Sequence, residues 1–324
     1  MNAQVSVIIP NYNNVSLLKE LLSSLDKVKT PFDIIIVDNN SQDDSVLFIK
    51  ENYPQIKLIV NKQNEGFAKA VNQAIRVAKT PYLFLLNNDT VVCDDTIEEL
   101  LKTIAIDSKI FSVSSKMIQY DNPQLIDDAG DEYTILSWSK KRGNNRDISK
   151  YTTSCEVFSA CAGAALYRRE YFDEIGLFDE NFESYVEDMD LSFRARIHGY
   201  ISYYCADAIV YHHGSATTGS RYNPFKVKIS ARNNIYLIYK NMPNWMLIIN
   251  AIFFMIGILI KILFFYKKGY ADEYIEGIKE GLSTRNKLKK TEITSHKNLL
   301  MIVWLMINNT FGYMLLGEVI WICL

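Results

Sequence analysis

Residues 82–90 read "YLFLLNNDT", a run of five apolar residues that ends on two amides and a carboxylate. Similar apolar runs of strand length occur at 5–10 ("VSVIIP"), 32–39 ("FDIIIVDN") and 56–61 ("IKLIVN"). Runs without polar alternation are typical of strands buried on both faces. Between them, two segments place apolar side chains on one helical stripe, at 15–25 and 65–78. Alternating strands and helices predict an α/β fold with a mostly parallel sheet flanked by helices.

Polar side chains follow each of the four predicted strands, in "PNYN" (10–13), "DNNS" (38–41), "NKQNEG" (61–66) and "NND" (87–89). Taken singly, each is better explained as a turn or helix cap. Ligands of parallel α/β sheets, however, bind beyond the carboxyl ends of the strands. Four polar ends at one sheet edge therefore predict a ligand site. The first turn, "PNYNN", has no glycine and no Walker lysine follows, so a nucleotide would be held by side chains and a metal ion.

Bulk composition excludes some classes of function. The 324 residues include 35 basic and 37 acidic ones, for a net charge of -2, which gives no indication of nucleic-acid binding. The five cysteines are scattered and form no CxxC pair, so neither a disulfide framework nor a zinc site is indicated. The start "MNAQVSVIIP" lacks an export signal, and we expect the N-terminal part in the cytosol.

An ordered set of motifs extends these observations: "VSVIIPNYNN", "IIIVDNNSQDDS", "NEGFAKAVNQAI", "LFLLNNDT", "CAGAALYRREYFDEIGLFDENFESYVEDMDLSFRARIHGY" and "AIVYHHGSATTG". Over residues 4–240 the chain resembles family 2 glycosyltransferases of GT-A fold, and among them the bacterial rhamnosyltransferase-like members of polysaccharide and cell-wall assembly. The resemblance implies a Rossmann-like nucleotide-diphospho-sugar transferase fold and a nucleoside-diphosphate-sugar donor. It also implies an Mg²⁺ or Mn²⁺ ion at the diphosphate.

The resemblance also assigns residues by position. Asp89 would bind the metal ion, although Asn87 stands where the DXD-type motif has its first aspartate. His212 would lie near the diphosphate or the metal, with His213 as the adjacent alternative. Arg232 would meet a phosphate or, equally, anchor the next helix. The nucleotide and sugar contacts implied in this way are Pro10, Asn11, Tyr12, Asp38, Asn40, Asn64, Gly66, Phe67, Asn87, Asn88 and Arg232.

An acidic cluster, "FESYVEDMD" (182–190), precedes a helical pattern that begins near Glu187. Acidic side chains are also stabilising in the first turn of any helix, so composition alone leaves both explanations open. Inverting sugar transfer needs one base for the acceptor hydroxyl, and the family's "ED" position makes that base Asp188. We expect Glu187 to assist positioning, and Asp190 to cap the helix or pair with Arg194.

Two long apolar segments, 245–266 and 299–324, lie near the C-terminal end, each of membrane-spanning length. The linker 267–298 carries eight basic and five acidic side chains, net +3, so the positive-inside rule disfavours two spans with this linker outside. We therefore expect helices that lie in or dip into the cytoplasmic membrane leaflet. A buried helical subdomain or partner interface is the alternative. The predicted units are a catalytic domain at 1–230 and a helical, membrane-associated region at 231–324.

The sequence thus predicts an inverting glycosyltransferase at the cytoplasmic face of the cell membrane, as a peripheral or monotopic protein. It would move a sugar, rhamnose from dTDP-rhamnose by subgroup resemblance, to a lipid-linked glycan or polysaccharide. The segment 110–155, with "IDDAGDEYTILSWSKKRGNN", is expected to set donor and acceptor preferences. A nucleotidyltransferase is disfavoured by the missing glycine-rich loop. A non-catalytic membrane scaffold is favoured by Asn87 but opposed by Asp89, Asp188 and His212.

Overall fold

The computed structural model describes residues 3–214 and 222–315. Its strands are β1 (Val5–Asn11), β2 (Phe32–Asp38), β3 (Lys57–Val60), β4 (Tyr82–Leu86), β5 (Thr90–Val92), β6 (Ile110–Gln119), β7 (Ile126–Asp128), β8 (Asp131–Tyr133), β9 (Ser139–Lys141), β10 (Cys155–Val157), β11 (Ala164–Arg168) and β12 (Ile201–His212). Its α-helices are α1 (Val15–Leu25), α2 (Ser45–Asn52), α3 (Phe67–Val77), α4 (Thr96–Ile104), α5 (Phe172–Ile175), α6 (Glu187–His198), α7 (Pro224–Asn241), α8 (Asn244–Lys268), α9 (Ala271–Thr284) and α10 (His296–Leu315). The four strands and two helices predicted from the N-terminal pattern are all present, and so is the helix that begins at Glu187.

One large sheet organises the first two thirds of the chain. Its strand order is β10-β12-β6-β11-β4-β1-β2-β3, with β5 added beside β12 and β7 beside β6. Strands β3, β2, β1 and β4 are parallel, whereas β11 runs antiparallel between β4 and β6. The mixed α/β architecture confirms the predicted fold class.

The apolar side chains of the sheet divide between two layers because successive residues of a strand point to opposite faces. On β1, Val7 and Ile9 pack with α1 and α4, while Ile8 packs with α3 on the other face. All three side chains are fully buried. Burial on both faces explains the apolar runs from which the strands were predicted.

The C-terminal helices pack against the part of the chain that contains the sheet through a third core. This core joins Phe193 on α6 and Tyr236 on α7 to Phe254 on α8 and Met306 on α10. The predicted boundary between residues 230 and 231 lies within α7, which contacts both α6 and α9. The two predicted units, 1–230 and 231–324, thus share a core, and their division stays a prediction.

Helix α8 combines a packed face with an exposed apolar face. At Gly257, an added Cβ would lie 2.2 Å from the Leu136 carbonyl oxygen, so the missing side chain permits close packing there. Only 17% of its most apolar 18-residue window is buried. Within the described residues, α8 is the one helix that is long and apolar enough to cross a membrane, which by itself is weak support for membrane association. Residues 316–324 of the second predicted segment lie outside the described residues.

Candidate active site

A cavity of about 1630 Å³ opens at the carboxyl ends of β1 and β4. Small-molecule sites commonly measure about 300–1,000 Å³, so this cavity has room for more than one substrate. Most of the site residues predicted from the sequence line this cavity, although they come from widely separated segments of the chain. These residues are Pro10, Asn11, Tyr12, Asn64, Gly66, Phe67, Asn87, Asn88, Asp89, Asp188 and His212.

Three predicted contacts lie outside the cavity lining: Asp38, Asn40 and Arg232. Asp38 is fully buried, and its carboxylate already accepts hydrogen bonds from Asn11 and Ser41. Arg232 is buried as well, and its guanidinium lies 2.9 Å from the Glu183 carboxylate. The anchoring alternative for Arg232 matches this position, and a direct contact of any of the three with a ligand stays a prediction.

A chain of amide hydrogen bonds supports the sheet edge at the cavity. Asn88 Nδ2 donates to Asn11 Oδ1 at 2.8 Å, and Asn11 Nδ2 donates to Asp38 Oδ2 at 2.8 Å. These hydrogen bonds fix the orientation of the Asn11 and Asn88 amide groups. Next to it, the ring of Tyr12 is 37% exposed and free to stack on a planar ligand.

Asp89 and His212 meet because β5 pairs with the end of β12, with Thr90 opposite His212. His212 Nε2 lies 3.3 Å from Asp89 Oδ1, and its Nδ1 lies 2.8 Å from Asp127 Oδ2. Burial by itself would lower the pKa of His212, but the two carboxylates outweigh it and raise this pKa to about 9. Burial likewise opposes ionisation of Asp89, yet His212 holds the pKa of this carboxyl below its usual value.

The donor atoms of this pair suit a hard divalent cation. Asp89 Oδ1 is buried and accepts no hydrogen bond of good geometry, although His212 Nε2 lies 3.3 Å away. Two ligands at right angles on an octahedral ion would lie ~3 Å apart, given metal–ligand distances of about 2.1 Å. The 3.3 Å between His212 Nε2 and Asp89 Oδ1 is close to that separation. Asp127, bonded to the other ring nitrogen, orients the imidazole as metal-bound histidines require.

A second group of potential ligands lies nearby, where atoms of Asp128, Asp131 and Cys161 fall within 4.8 Å of one another. Burial raises the pKa of the Cys161 thiol, and the neighbouring carboxylates raise it further. Burial also raises the pKa of Asp128 to about 7. Mg²⁺ and Mn²⁺ prefer ionised oxygen ligands over a protonated thiol, which favours the site at Asp89. Binding of a cation there would release the proton of His212, because a metal-bound imidazole is neutral.

Asp188 lies at the first turn of α6, with its carboxylate held by backbone N–H groups. Oδ1 accepts from Met189 N at 2.8 Å and Oδ2 from Ala162 N at 3.3 Å. Burial raises the pKa of Asp188 above its usual value, against these hydrogen bonds and the charge of Lys141. A carboxylate with a raised pKa in a cavity is a stronger base than an ordinary aspartate. Beside it, burial and the charge of Asp188 raise the pKa of Glu187.

The loop before Asp188 has a strained backbone. Glu183, Tyr185 and Val186 all have positive φ, which is rare for residues other than glycine and most costly for a β-branched one. Asn233 on α7 holds this loop, since its Nδ2 lies 2.7–2.9 Å from the carbonyl oxygens of residues 182, 184 and 185. The same loop accepts the Ala68 N–H at the start of α3. It therefore fixes the first turns of α3 and α6, both of which border the cavity.

Asp190 does not reach the cavity. Its buried carboxylate accepts from Arg194 Nε at 3.0 Å, Lys240 Nζ at 2.9 Å and Asn241 Nδ2 at 2.8 Å. The predicted pairing with Arg194 is confirmed. The network joins α6 to α7 and gives Asp190 a structural position two residues from Asp188.

Sequence reasoning missed several residues of the site. Asp127 and Asp131 come from "IDDAGD", which was noted only as part of a variable segment, and Asn233 adjoins Arg232 in "ARNN". The stretch holds three aspartates within six residues, and this density was an available signal. For Asn233 no signal existed, because its partners are backbone carbonyls about fifty residues away.

Comparison with known proteins gives a family match over the N-terminal half. The sequence profile described as Glycosyl transferase family 2 matches residues 6–176. The chain is 29% identical over 203 residues to the uncharacterized glycosyltransferase YwdF of Bacillus subtilis, covering 59% of this chain and 68% of that one. It is 24% identical over 249 residues to the N-acetylglucosaminyl-diphospho-decaprenol L-rhamnosyltransferase of Mycobacterium tuberculosis, covering 68% and 79%.

Two solved structures resemble the fold. GalNAc-T7 with UDP, GalNAc and Mn²⁺ superposes with a TM-score of 0.59 at 18% identity, over 74% of this chain and 48% of that one. The mannosyltransferase PcManGT from Pyrobaculum calidifontis, in complex with GDP-Man and Mn²⁺, superposes with a TM-score of 0.54 at 15% identity, over 99% and 84%. At these identities the likeness concerns the fold.

Proposed function

The chain belongs to glycosyltransferase family 2, and from this membership we propose that it is an inverting enzyme that transfers a sugar from a nucleoside diphosphate to a hydroxyl of a lipid-linked glycan. One observation carries the proposal: Asp89, His212 and Asp188, far apart in sequence, line a single cavity. A cation site and a base in one cavity are what such a transfer needs.

The donor would lie along the sheet edge formed by β1 and β4. Tyr12 offers a ring to stack on the base, and the amides of Asn11 and Asn88 face the same region. The relative from Mycobacterium tuberculosis is named a rhamnosyltransferase, which supports dTDP-rhamnose as the first donor to test. Gly66 would border the sugar. A Cβ added there would lie 3.1 Å from the Glu183 carbonyl oxygen, and the φ of +81° would strain any other residue.

Asp89 and His212 would hold the divalent cation, Mg²⁺ or Mn²⁺. When bound, such an ion neutralises the negative charge that develops on a leaving diphosphate. Asp127 keeps the imidazole of His212 in one orientation through its 2.8 Å contact. The complexes of GalNAc-T7 and PcManGT with Mn²⁺ support a metal-assisted reaction on this fold.

Asp188 would act as the base. As the acceptor oxygen forms its bond to the anomeric carbon, the bond from that carbon to the diphosphate breaks, and the acceptor proton moves to an Asp188 carboxylate oxygen. Attack from the side opposite the diphosphate inverts the anomeric configuration. Two backbone N–H groups fix the carboxylate without neutralising it, and burial makes it more basic.

A membrane position supports a lipid-linked acceptor. The exposed apolar face of α8 and the basic residues that follow it suit the surface of an anionic leaflet. We propose residues 1–230 as the catalytic unit and the C-terminal helices as the membrane-facing part. If the full chain stays soluble and monomeric at high salt and does not sediment with anionic vesicles, this placement is wrong.

The test of the function is a panel of nucleotide sugars and nucleoside diphosphates, each with and without Mn²⁺. A ligand that binds only the folded state raises its apparent stability with occupancy, so the matching nucleotide should raise the melting temperature, and more so with Mn²⁺. The matching donor should also release its nucleoside diphosphate when a polyprenyl-diphosphate-linked sugar is added. Absence of both stabilisation and turnover across the panel would overturn the proposal and favour a non-catalytic scaffold.

A further inference from the structure

Helix α8 carries a lysine in the middle of an otherwise apolar stretch. Lys261 is half-buried and lines the cavity, as do Phe264, Phe265 and Lys268 of the same helix. Within residues 3–214 and 222–315, no carboxylate pairs with Lys261, and its Nζ lies 5.8 Å from the centre of the Trp138 ring. An ammonium group that is partly removed from water without a counter-ion costs free energy.

The direction of Lys261 separates it from the membrane-facing side of the helix. Residues advance about 100° per position around an α-helix. Eight of the nine exposed large apolar side chains form one stripe, and Phe253 lies to one side of it. The eight are Ile248, Ile249, Ile252, Met255, Ile256, Leu259, Leu263 and Tyr266. Lys261 lies on the opposite face, in line with Gly257, which contacts Leu136, and Lys268. A lysine that merely reaches for lipid headgroups would lie beside the apolar stripe or at the helix end.

The side of the cavity formed by α8 contributes none of the proposed cation and base side chains. The cation and base side chains come from β5, β12 and α6, whereas Lys261 and Lys268 add positive charge from α8. At about 1630 Å³, the cavity exceeds the range for one small ligand. Two lysines beside aromatic rings suit a ligand with an anionic group joined to an apolar chain, since Lys pairs with phosphate as a point charge.

We propose that Lys261, assisted by Lys268, binds the diphosphate group of a polyprenyl-diphosphate-linked acceptor, while the lipid chain leaves the cavity toward the apolar surface of α8. This inference rests on the proposed function for the identity of the acceptor. It adds a site that separates the acceptor diphosphate from the donor diphosphate at Asp89.

The experiment measures binding by the full-length protein in dodecyl maltoside micelles. The probes are farnesyl diphosphate, farnesol, inorganic pyrophosphate and UDP, and the variants are Lys261→Met and Lys261→Arg. Lys267→Met is the matched control, because Lys267 belongs to the same helix but is outside the cavity lining. Losing one charge-assisted contact should weaken farnesyl diphosphate binding roughly tenfold to a hundredfold in Lys261→Met. Lys261→Arg and Lys267→Met should bind it as the wild type does. The loss in Lys261→Met should extend to inorganic pyrophosphate, whereas all four proteins should bind farnesol and UDP alike.

Three outcomes would overturn the site: no binding of farnesyl diphosphate by the wild type, equal binding by Lys261→Met, or an equal loss of UDP binding in that variant. The last would mean that Lys261 serves the donor or the fold. The proposed function has a separate test, since it fails if no donor gives turnover. In that case, a selective loss of farnesyl diphosphate binding in Lys261→Met would still support the binding site.

Discussion

Replacing Asp188 by asparagine tests its proposed role as the base with little change in shape. A positioned general base commonly contributes 10²–10⁴-fold to the rate, so kcat should fall by about that factor with the matching donor. The amide cannot accept a hydrogen bond at its nitrogen, so either Met189 N–H or Ala162 N–H loses a partner. The Ala162 contact is the longer of the two at 3.3 Å, and its loss should cost no more than about 1 kcal/mol of unfolding free energy.

The lost negative charge of Asp188 should in turn stabilise the fold, because burial, and after it repulsion by Asp188, raises the pKa of Glu187 and of Asp131. The variant should therefore stay folded and bind the nucleoside diphosphate as the wild type does. The acidic limb of the kcat/KM profile, which in the wild type should lie above the pKa of an ordinary aspartate, should disappear with the base.

Asp190→Asn is the matched control, since it removes a buried carboxylate two residues away that does not line the cavity. Breaking a buried ion pair typically costs about 3–5 kcal/mol. Lys240 keeps Asp179 at 2.7 Å and Arg194 keeps backbone carbonyls, so the loss should lie at the lower end of that range. Initial rates, urea unfolding and calorimetric nucleotide binding measure the three quantities. The reasoning fails if Asp188→Asn retains kcat within about tenfold of the wild type, or if Asp190→Asn, once corrected for its folded fraction, loses as much activity.

Three further changes probe the surrounding structure. Asp89→Asn should reduce the rise in melting temperature that nucleotide causes in the presence of Mn²⁺, and it should leave the rise without metal unchanged. If Mn²⁺ still adds the same stabilisation to this variant, the cation does not bind at Asp89. Asn233→Ala should cost about 1–3 kcal/mol of unfolding free energy, because the strained loop carbonyls lose their donor, and kcat should fall with nucleotide affinity nearly kept; unchanged urea unfolding would contradict the clamp. Gly257→Ala should cost about 1–3 kcal/mol, since the new Cβ must displace the Leu136 carbonyl, and an unchanged melting temperature would show that α8 does not pack as described.

The sheet was predictable because its strands are buried on both faces, and such burial leaves a local record in the sequence. Residues 5–10 and 82–89 have no polar alternation, and the structure places strands at Val5–Asn11 and Tyr82–Leu86. Helix α6 begins at Glu187 as its acidic first turn indicated. Polar residues immediately after strands also predicted which edge borders the cavity, since the carboxyl ends of parallel strands meet there.

Other parts of the site have no local signal. His212 meets Asp89 because two strands distant in the chain pair with each other, and Asp127 completes that contact from a third segment. Arg232 was expected to meet a phosphate or, equally, to anchor a helix, and both Arg232 and the adjacent Asn233 contact the loop before Asp188. A pattern on one helix does not tell which neighbouring backbone its polar side chains will reach.

The sequence by itself determined the alternation of strands and helices, the apolar length of α8 and the chemical types available at the strand ends, because each depends on residues close together in the chain. Only the tertiary structure decided that Asp89, His212 and Asp188 share one cavity, that Asp190 pairs with Lys240 as well as with Arg194, and that Lys261 faces inward. These contacts depend on strand pairing and helix packing between segments that are distant in the chain, so no local sequence pattern records them.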